Sequence, residues 1–175
     1  TLSLHDALPI STITETSLGG DVFRSALFSL DGELADTNAL ASLTVTESVD
    51  GSPEADIPVA DPSGTTASWS VPDLPTGGVA DGVYDYQVTV ADASGKQTVL
   101  ERSVTIDLTA PDPPAVASPA ADAWLGSATD VFSGTTNDGS GSGVATLYWN
   151  EASRGGGAPA IGDPSWNAVT VEADG

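Results

Sequence analysis

The sequence predicts an all-β protein in which an antiparallel β-sandwich is followed by an incomplete second copy of the same fold. Three observations support this fold class. Short runs alternate apolar and polar residues, which is the period of a half-buried strand. Gly, Pro and Asp separate these runs along the whole chain. No long stretch shows the 3.6-residue period of an amphipathic helix.

The alternation identifies the residues expected to face the core. They are Phe28, Leu30 and Leu34; Ala41, Leu43 and Val45; Trp69 and Val71; Tyr84, Tyr86, Val88 and Val90; and Val104 and Ile106. The stretch "ADASGK" predicts a turn between the last two strands, with Gly95 at positive φ, so that they form a hairpin. With a short strand around "ADIPV", six or seven strands fall within about 100 residues, a density that suits an antiparallel sandwich.

Three prolines in "LTAPDPP" mark the end of the first domain. Pro111, Pro113 and Pro114 lack the N–H that a strand ladder needs, so regular pairing is expected to stop before them. We therefore expect a first domain over residues 11–107, a stiff linker over 108–114 and a second domain over 115–175.

A repeat connects the two predicted domains. "GELADTNALASLTV" begins at Gly32 and "GTTNDGSGSGVATLYW" begins at Gly134, and each places an aspartate four residues later. Allowing two extra residues in the second turn, the strand positions Ala41, Leu43 and Val45 match Ala145, Leu147 and Trp149. Residues 115–175 contain no second "DGVY" or "VTID", so the second copy is expected to be truncated.

The stretch "WSVPDLPTGGVADGVYDYQVTVADASGKQTVLERSVTIDLTAPDPP" resembles the bacterial Ig-like repeats of large surface adhesins and secreted multidomain proteins. The aromatic strand at Trp69, the "ADGVY" strand entry, the "VTVADASGK" turn and the "VTIDLTAP" linker carry the resemblance. It implies an Ig-like β-sandwich and an extracellular or cell-surface location. In this family Tyr84 would be the tyrosine-corner residue, whose hydroxyl bonds nearby backbone; a plain core tyrosine is the alternative.

Composition argues against several functions. The formal charge of −21 disfavours nucleic-acid phosphates and anionic membrane surfaces as partners. No apolar run is long enough to insert into a membrane. There is no cysteine, and the single histidine, His5, would have to serve any Ser-His-Asp system. We therefore expect a protein that is not an enzyme.

Calcium is the one cofactor that the acids suggest, because Ca²⁺ takes six to eight oxygen ligands. Related surface repeats hold calcium at the joints between domains, and the resemblance implies the same arrangement here. The candidate ligands are Asp36 and Asp92, with Glu15 or Asp21, in the first domain, and Asp107, Asp112 and Asp138 at the joint with the second. The alternative is that these acids cap turns and face solvent.

Two functions follow from the resemblance. The first is a structural spacer, one repeat of an adhesin stalk whose partners are neighbouring repeats and whose distal ligand the sequence does not identify. The second is an accessory module of a secreted enzyme, either a spacer or a carbohydrate-binding domain. A carbohydrate module needs exposed aromatic residues, and Trp166 is the best candidate because Trp69, Tyr84 and Tyr86 share a phase with apolar neighbours.

The first ten residues, "TLSLHDALPI", resemble a translated sequencing adapter. Reverse translation as ACT CTT TCC CTA CAC GAC GCT CTT CCG ATC reproduces a common short-read adapter in one frame. Residues 1–10 are therefore expected to be artefactual and the chain to be a fragment. Without His5 the protein would contain no histidine at all, which further disfavours acid–base catalysis near neutral pH.

Overall fold

A computed structural model divides the chain into two compact units, with the boundary in the sequence between Leu108 and Thr109. The described residues are 12–19, 23–123, 131–139, 141–150, 156–157, 159–160, 162–169 and 171. The adapter-like residues 1–10 and Asp21 lie outside them. Every regular element in the described part of the chain is a β-strand, and no helix there is long and apolar enough to cross a membrane.

The first unit contains two sheets with a shared apolar core. Its strands are β1 (Thr12–Glu15), β2 (Phe23–Arg24), β3 (Phe28–Ala35), β4 (Leu40–Val49), β5 (Ala55–Ile57), β6 (Thr66–Leu74), β7 (Gly82–Asp92) and β8 (Gln97–Ile106). One sheet has the order β1-β3-β6 and the other the order β2-β8-β7-β4-β5. All pairs are antiparallel except β2 with β8, which is parallel.

The predicted hairpin is confirmed. Strands β7 and β8 pair with Tyr84 opposite Val104, and Gly95 in the connecting turn has φ of 83°. Side chains at alternate positions of both sheets are buried together because successive residues of a strand face opposite sides. The buried apolar cluster consists of Leu18, Leu30, Leu34, Leu40, Leu43, Val45, Trp69, Val71, Leu74, Tyr84, Tyr86, Val88, Val90, Val104 and Ile106.

The prediction for the start of β4 was wrong. Ala41 is exposed and Leu40 is buried, because the pairing of β4 with β7 shifts register between Leu40 and Ser42. Such a bulge adds one residue to one strand and changes which side chains face the core. The alternation resumes at Leu43, which is buried as predicted.

The described residues of the second unit form two small strand pairs. Its strands are β9 (Ala115–Ser118), β10 (Ser133–Thr135), β11 (Leu147–Trp149) and β12 (Asn167–Val169). β9 pairs with β10 and β11 pairs with β12, both antiparallel. None of the residues described in this unit is buried. No strand covers residues 108–114, where the Pro-rich linker was predicted.

Candidate functional site

The turn from β3 to β4 is organised by Asp36. One carboxylate oxygen of this buried residue, Oδ1, accepts a hydrogen bond from the Asn38 amide at 2.6 Å. The backbone N–H of Asp36 donates to the carbonyl of Thr65 at 2.9 Å, which anchors the turn to the chain that enters β6. The second carboxylate oxygen, Oδ2, is buried and has no hydrogen-bond partner among the described residues. Within the described part of the chain, this oxygen is therefore available to a donor or a cation.

The turn from β7 to β8 is organised in the same way by Asp92, but here the carboxylate is fully used. Its oxygens accept from the Ser94 hydroxyl at 2.7 and 2.8 Å and from the backbone N–H groups of Ser94 and Lys96 at 2.8 and 2.9 Å. The Ser94 hydroxyl is the main cause that lowers the pKa of Asp92 to about 2, assisted by the Lys96 amide. Asp92 therefore caps its turn as a carboxylate.

Asn38 joins these two turns. Its side-chain amide donates to Asp92 Oδ2 at 3.2 Å, and the Ala93 amide donates to the Ala39 carbonyl at 2.8 Å. The structure thus brings the turns of Asp36 and Asp92 to one end of the first unit. Asp92 cannot take a metal ion without losing hydrogen bonds from its own turn. No group of three or more His, Cys, Asp or Glu side chains suited to a metal occurs in the described part of the chain.

The other candidate ligands are distributed over both units. In the second unit, Asp138 accepts from the Gly143 amide at 2.7 Å, and its other oxygen, Oδ1, is buried without a partner among the residues described there. The Asp112 amide donates to the carbonyl of Asn137, the residue before Asp138, at 2.9 Å. Asp107 belongs to the first unit, where its amide donates to the Arg24 carbonyl at 3.0 Å.

Glu15 lies away from the Asp36 turn. It stands opposite Gly32 in the β1–β3 ladder, and its side chain forms a 3.2 Å ion pair with Arg102 on β8 of the other sheet. Its second oxygen accepts from Ser17 and Leu18. Burial raises the pKa of Glu15, but the donors Ser17, Leu18 and Arg102 together outweigh burial and leave it below the usual value. This residue connects the two sheets.

Two glycines, one in each unit, lie against the backbone of a neighbouring strand. A Cβ atom added to Gly32 would lie 1.8 Å from the carbonyl oxygen of Thr14 on the neighbouring strand. One added to Gly134 would lie 2.2 Å from the carbonyl oxygen of Ala115. Neither position can hold a larger residue without moving backbone. Each glycine is followed four residues later by an aspartate, Asp36 in the first unit and Asp138 in the second. In both, one carboxylate oxygen accepts a hydrogen bond from a turn amide, and the other is buried without a partner among the described residues.

A polar row crosses the five-stranded sheet, buried at Glu47 and Tyr86 and partly exposed at Arg102. Glu47 stands opposite Tyr86, and Tyr86 stands opposite Arg102. The Tyr86 hydroxyl donates to Glu47 Oε2 at 2.9 Å, while Thr76 donates to the same carboxylate through its amide at 3.1 Å and its hydroxyl at 2.6 Å. Burial, followed by the Glu47 carboxylate, raises the pKa of Tyr86 far above its usual value. The row fixes the chain after β6 to the sheet.

The sequence reading did not identify Glu47 or Arg102, although the strand period contains the necessary information. Glu47 continues the inward phase of Leu43 and Val45, and Arg102 shares the phase of Val104 and Ile106. A charged residue in the core phase of a strand is rarely buried unless it is paired. That rule could have flagged both positions.

The aromatic residues divide into core and surface groups. Trp69 and Tyr84 are buried as predicted, and the Tyr84 hydroxyl donates to the Ala80 carbonyl at 3.1 Å, the contact expected of a tyrosine corner. Phe132 and Trp149 are exposed and stacked, with ring centroids 6.4 Å apart. Trp166 is partly exposed, and its indole N–H donates to the Ala160 carbonyl at 3.0 Å.

These features define an all-β protein built from antiparallel sheets, whose first unit is consistent with a β-sandwich. No protein-family model matches the chain, and neither a curated protein nor a solved structure matches it.

Proposed function

We propose that this chain is a structural spacer from an extracellular bacterial adhesin-like protein, with further units of the same kind as its neighbours. The observation that carries the proposal is the recurrence of one local arrangement in two consecutive units. In each, a glycine packs against the carbonyl of a neighbouring strand, and an aspartate four residues later accepts from a turn amide. Repetition of a unit along the chain is typical of proteins in which each unit contacts mainly its neighbours.

The contacts of the first unit suit a spacer that must keep its shape. Residues far apart in sequence are joined at three places in the first unit: Asn38 to Asp92, Thr76 to Glu47, and Glu15 to Arg102. Each tie connects separate strands or the two sheets, so opening the unit requires several to break together. The high negative charge favours solubility and disfavours non-specific adhesion to nucleic acid.

The test of the spacer role is recovery of the complete reading frame by long-read sequencing of the source DNA. We expect further units with the same glycine and the same aspartate four residues later, and a different sequence in place of residues 1–10. A pair of units adjoining a catalytic domain, with no further copies, would contradict the stalk and favour the accessory module.

We also propose that calcium binds at the junction between consecutive units, where Asp107, Asp112 and Asp138 are the candidate ligands. Two observations support the proposal: Asp138 Oδ1 is buried with no hydrogen-bond partner among the described residues, and the Asp112 amide donates to the carbonyl of Asn137, the residue before Asp138. The first unit fits calcium less well, because the oxygens of Asp92 are occupied by turn donors and the buried Lys96 ammonium in the same turn has no hydrogen-bond partner in the described chain.

Calcium binding is tested by thermal unfolding with Ca²⁺ and with a chelator. We expect Ca²⁺ to raise Tm for the parent chain, and Asp138→Ala to remove this increase. Asp85→Ala, which changes an exposed acid on β7, is the matched control and should keep it. An equal increase in both variants would indicate non-specific screening of the negative charge and would reject the site.

The accessory carbohydrate-binding module is the second candidate, and the exposed stack of Phe132 and Trp149 favours it. Sugar rings bind on flat exposed aromatic faces, and these two rings are within 19° of parallel. Affinity electrophoresis in gels that contain soluble polysaccharides would test it. Retardation that is lost in Trp149→Ala but kept in Trp166→Ala would support a sugar platform at the stack, whereas no retardation by any polysaccharide would oppose it.

A further inference from the structure

The second unit exposes large apolar side chains at the positions where the first unit has its core. In the alignment of the two copies, Phe132 corresponds to Leu30 and Trp149 corresponds to Val45. Leu30 and Val45 are 0% and 1% exposed, whereas Phe132 and Trp149 are 64% and 47% exposed. Residues in the same strand phase therefore have opposite environments in the two units.

Strands β6, β7 and β8 account for this difference. In the first unit β3 pairs with β6 and β4 pairs with β7, and these added strands supply Trp69, Val88 and Val104 to the core. In the second unit the described pairing of β10 is with β9 alone, and that of β11 is with β12 alone. The strand edges that would receive counterparts of β6 and β7 therefore carry no partner in the described residues.

The glycine of the second unit indicates what should lie over it. In the first unit Trp69 stands opposite Gly32, and its indole N–H donates across the glycine to the Thr14 carbonyl at 3.2 Å. A Cβ at Gly32 would lie 2.6 Å from that indole nitrogen, so the absence of a side chain is what admits the ring. Gly134 leaves the same space beside Ala115, with no indole over it among the described residues.

We propose that the second unit binds a three-stranded segment built like β6–β8 on the face formed by Phe132, Leu147, Trp149 and Val169. Leu147 and Val169 are directly opposed across β11 and β12, and Trp149 is two residues along the same face. The segment adds strands to the free edges of β10 and β11, covers this apolar face and places an aromatic donor over Gly134. Strand addition of this kind combines backbone hydrogen bonds with burial of alternate side chains. The inference rests on the proposed role as a repeated unit.

The test appends a second copy of residues 66–107 directly after Gly175 of the full chain. This attachment point gives the appended strand a connection of the natural length. Eight residues lie between Ile57 and Thr66 in the first unit, and eight would lie between Asn167 and the appended Thr66. Amide hydrogen exchange then reports on β10 and β11, since strands that gain a partner exchange more slowly. We expect exchange in Leu147–Trp149 to slow by on the order of tenfold or more relative to the parent chain.

Two variants of the appended copy serve as matched controls. Val88→Asp within the copy places a charge where the segment should enter the core, and should abolish the added protection. Trp69→Ala within the copy removes the donor over Gly134 and should reduce protection at β9 and β10 more than at β11. The first unit keeps its own residues in every case, so its unchanged exchange verifies that the protein is folded.

Unchanged exchange at β10 and β11 in the fusion, or equal protection with the Val88→Asp copy, would overturn the inference. Neither result would contradict the spacer role, because the sequencing test of that role does not depend on strand addition. Conversely, protection in the fusion together with a reading frame that holds no further units would retain the binding face and reject the stalk.

Discussion

The side-chain amide of Asn38 donates a 3.2 Å hydrogen bond to the carboxylate of Asp92, across 54 residues of sequence. The same residue donates its backbone N–H to Asp36 at 2.6 Å. One asparagine thus holds together two turns that each carry a buried acid. This contact holds the two candidate ligands at one end of the first unit. They differ in their capacity to bind a cation, because the oxygens of Asp92 already accept hydrogen bonds from their own turn.

Removing this contact should destabilise the first unit. Asn38→Ala leaves one Asp92 oxygen with fewer donors, and we expect the free energy of unfolding in urea to fall by about 1 kcal/mol. Ser63→Ala, at an exposed loop position, is the matched control and should change it by less than about 0.5 kcal/mol. An Asn38→Ala protein as stable as the parent would mean that the other contacts alone fix the turns.

Acid should weaken the first unit in a way that depends on Asp92. Its pKa is about 2 in the folded protein, below the value of about 3.9 for an unfolded aspartate. A lowered pKa stabilises the fold above the unfolded value, and this stabilisation is lost as pH falls from about 4 towards 2. We expect Asp92→Asn to be less stable at neutral pH and to show a shallower loss of stability over that range. Urea titrations at several pH values measure both effects, and parallel curves would contradict the assignment.

The Glu47 carboxylate should be a major stabilising group of the sheet. Glu47→Ala leaves the donors Tyr86 and Thr76 unsatisfied in a buried place, and we expect a loss of about 3 kcal/mol in unfolding free energy. Glu101→Ala, an exposed acid on β8, controls for the change in net charge and should have little effect. A double-mutant cycle with Tyr86→Phe isolates the contact between the Tyr86 hydroxyl and Glu47. A coupling free energy near zero would show that this hydrogen bond contributes nothing to stability.

The Tyr86 phenol should stay neutral in the folded protein at alkaline pH. Its pKa is raised by burial and by Glu47, so the folded protein keeps the neutral phenol. A raised pKa stabilises the fold fully below the unfolded value of about 10, and the contribution is lost as pH rises beyond it. Ultraviolet difference spectra of the parent and of Tyr86→Phe should show that the phenol lost in the variant ionises only when the parent unfolds. Ionisation of the Tyr86 phenol in the folded state would disprove this.

Gly32 should tolerate no side chain. A Cβ would meet the Thr14 carbonyl and the Trp69 indole, so Gly32→Ala should separate β1 from β3 and cost about 3 kcal/mol. Gly77→Ala is the matched control, because nothing lies within 4 Å of its added Cβ. Calorimetry of both variants decides the point, and equal melting temperatures would show that the strands adjust without cost.

Local sequence was sufficient to predict most of the strands, because side-chain alternation depends only on neighbouring residues. The phases of Trp69 and Tyr84 were predicted correctly, as was the turn at Gly95. Ala41 was misplaced because the bulge beside it is set by pairing with β7 and leaves no mark in the alternation. The short edge strands β1 and β2 were missed for a related reason, since pairing with β3 and β8 defines them.

By itself, the sequence determined the all-β class, the identity of most core residues and the positions of the acidic turns, because each follows from the order of neighbouring residues. Tertiary structure alone decided which acids keep an oxygen without a partner among the described residues, why Gly32 must be glycine and how a glutamate can be buried. The partners of Glu47 lie 29 and 39 residues away, and Gly32 is constrained by Thr14 and Trp69 on separate strands. Such properties arise from contacts between distant segments, and these exist only once the sheets have assembled.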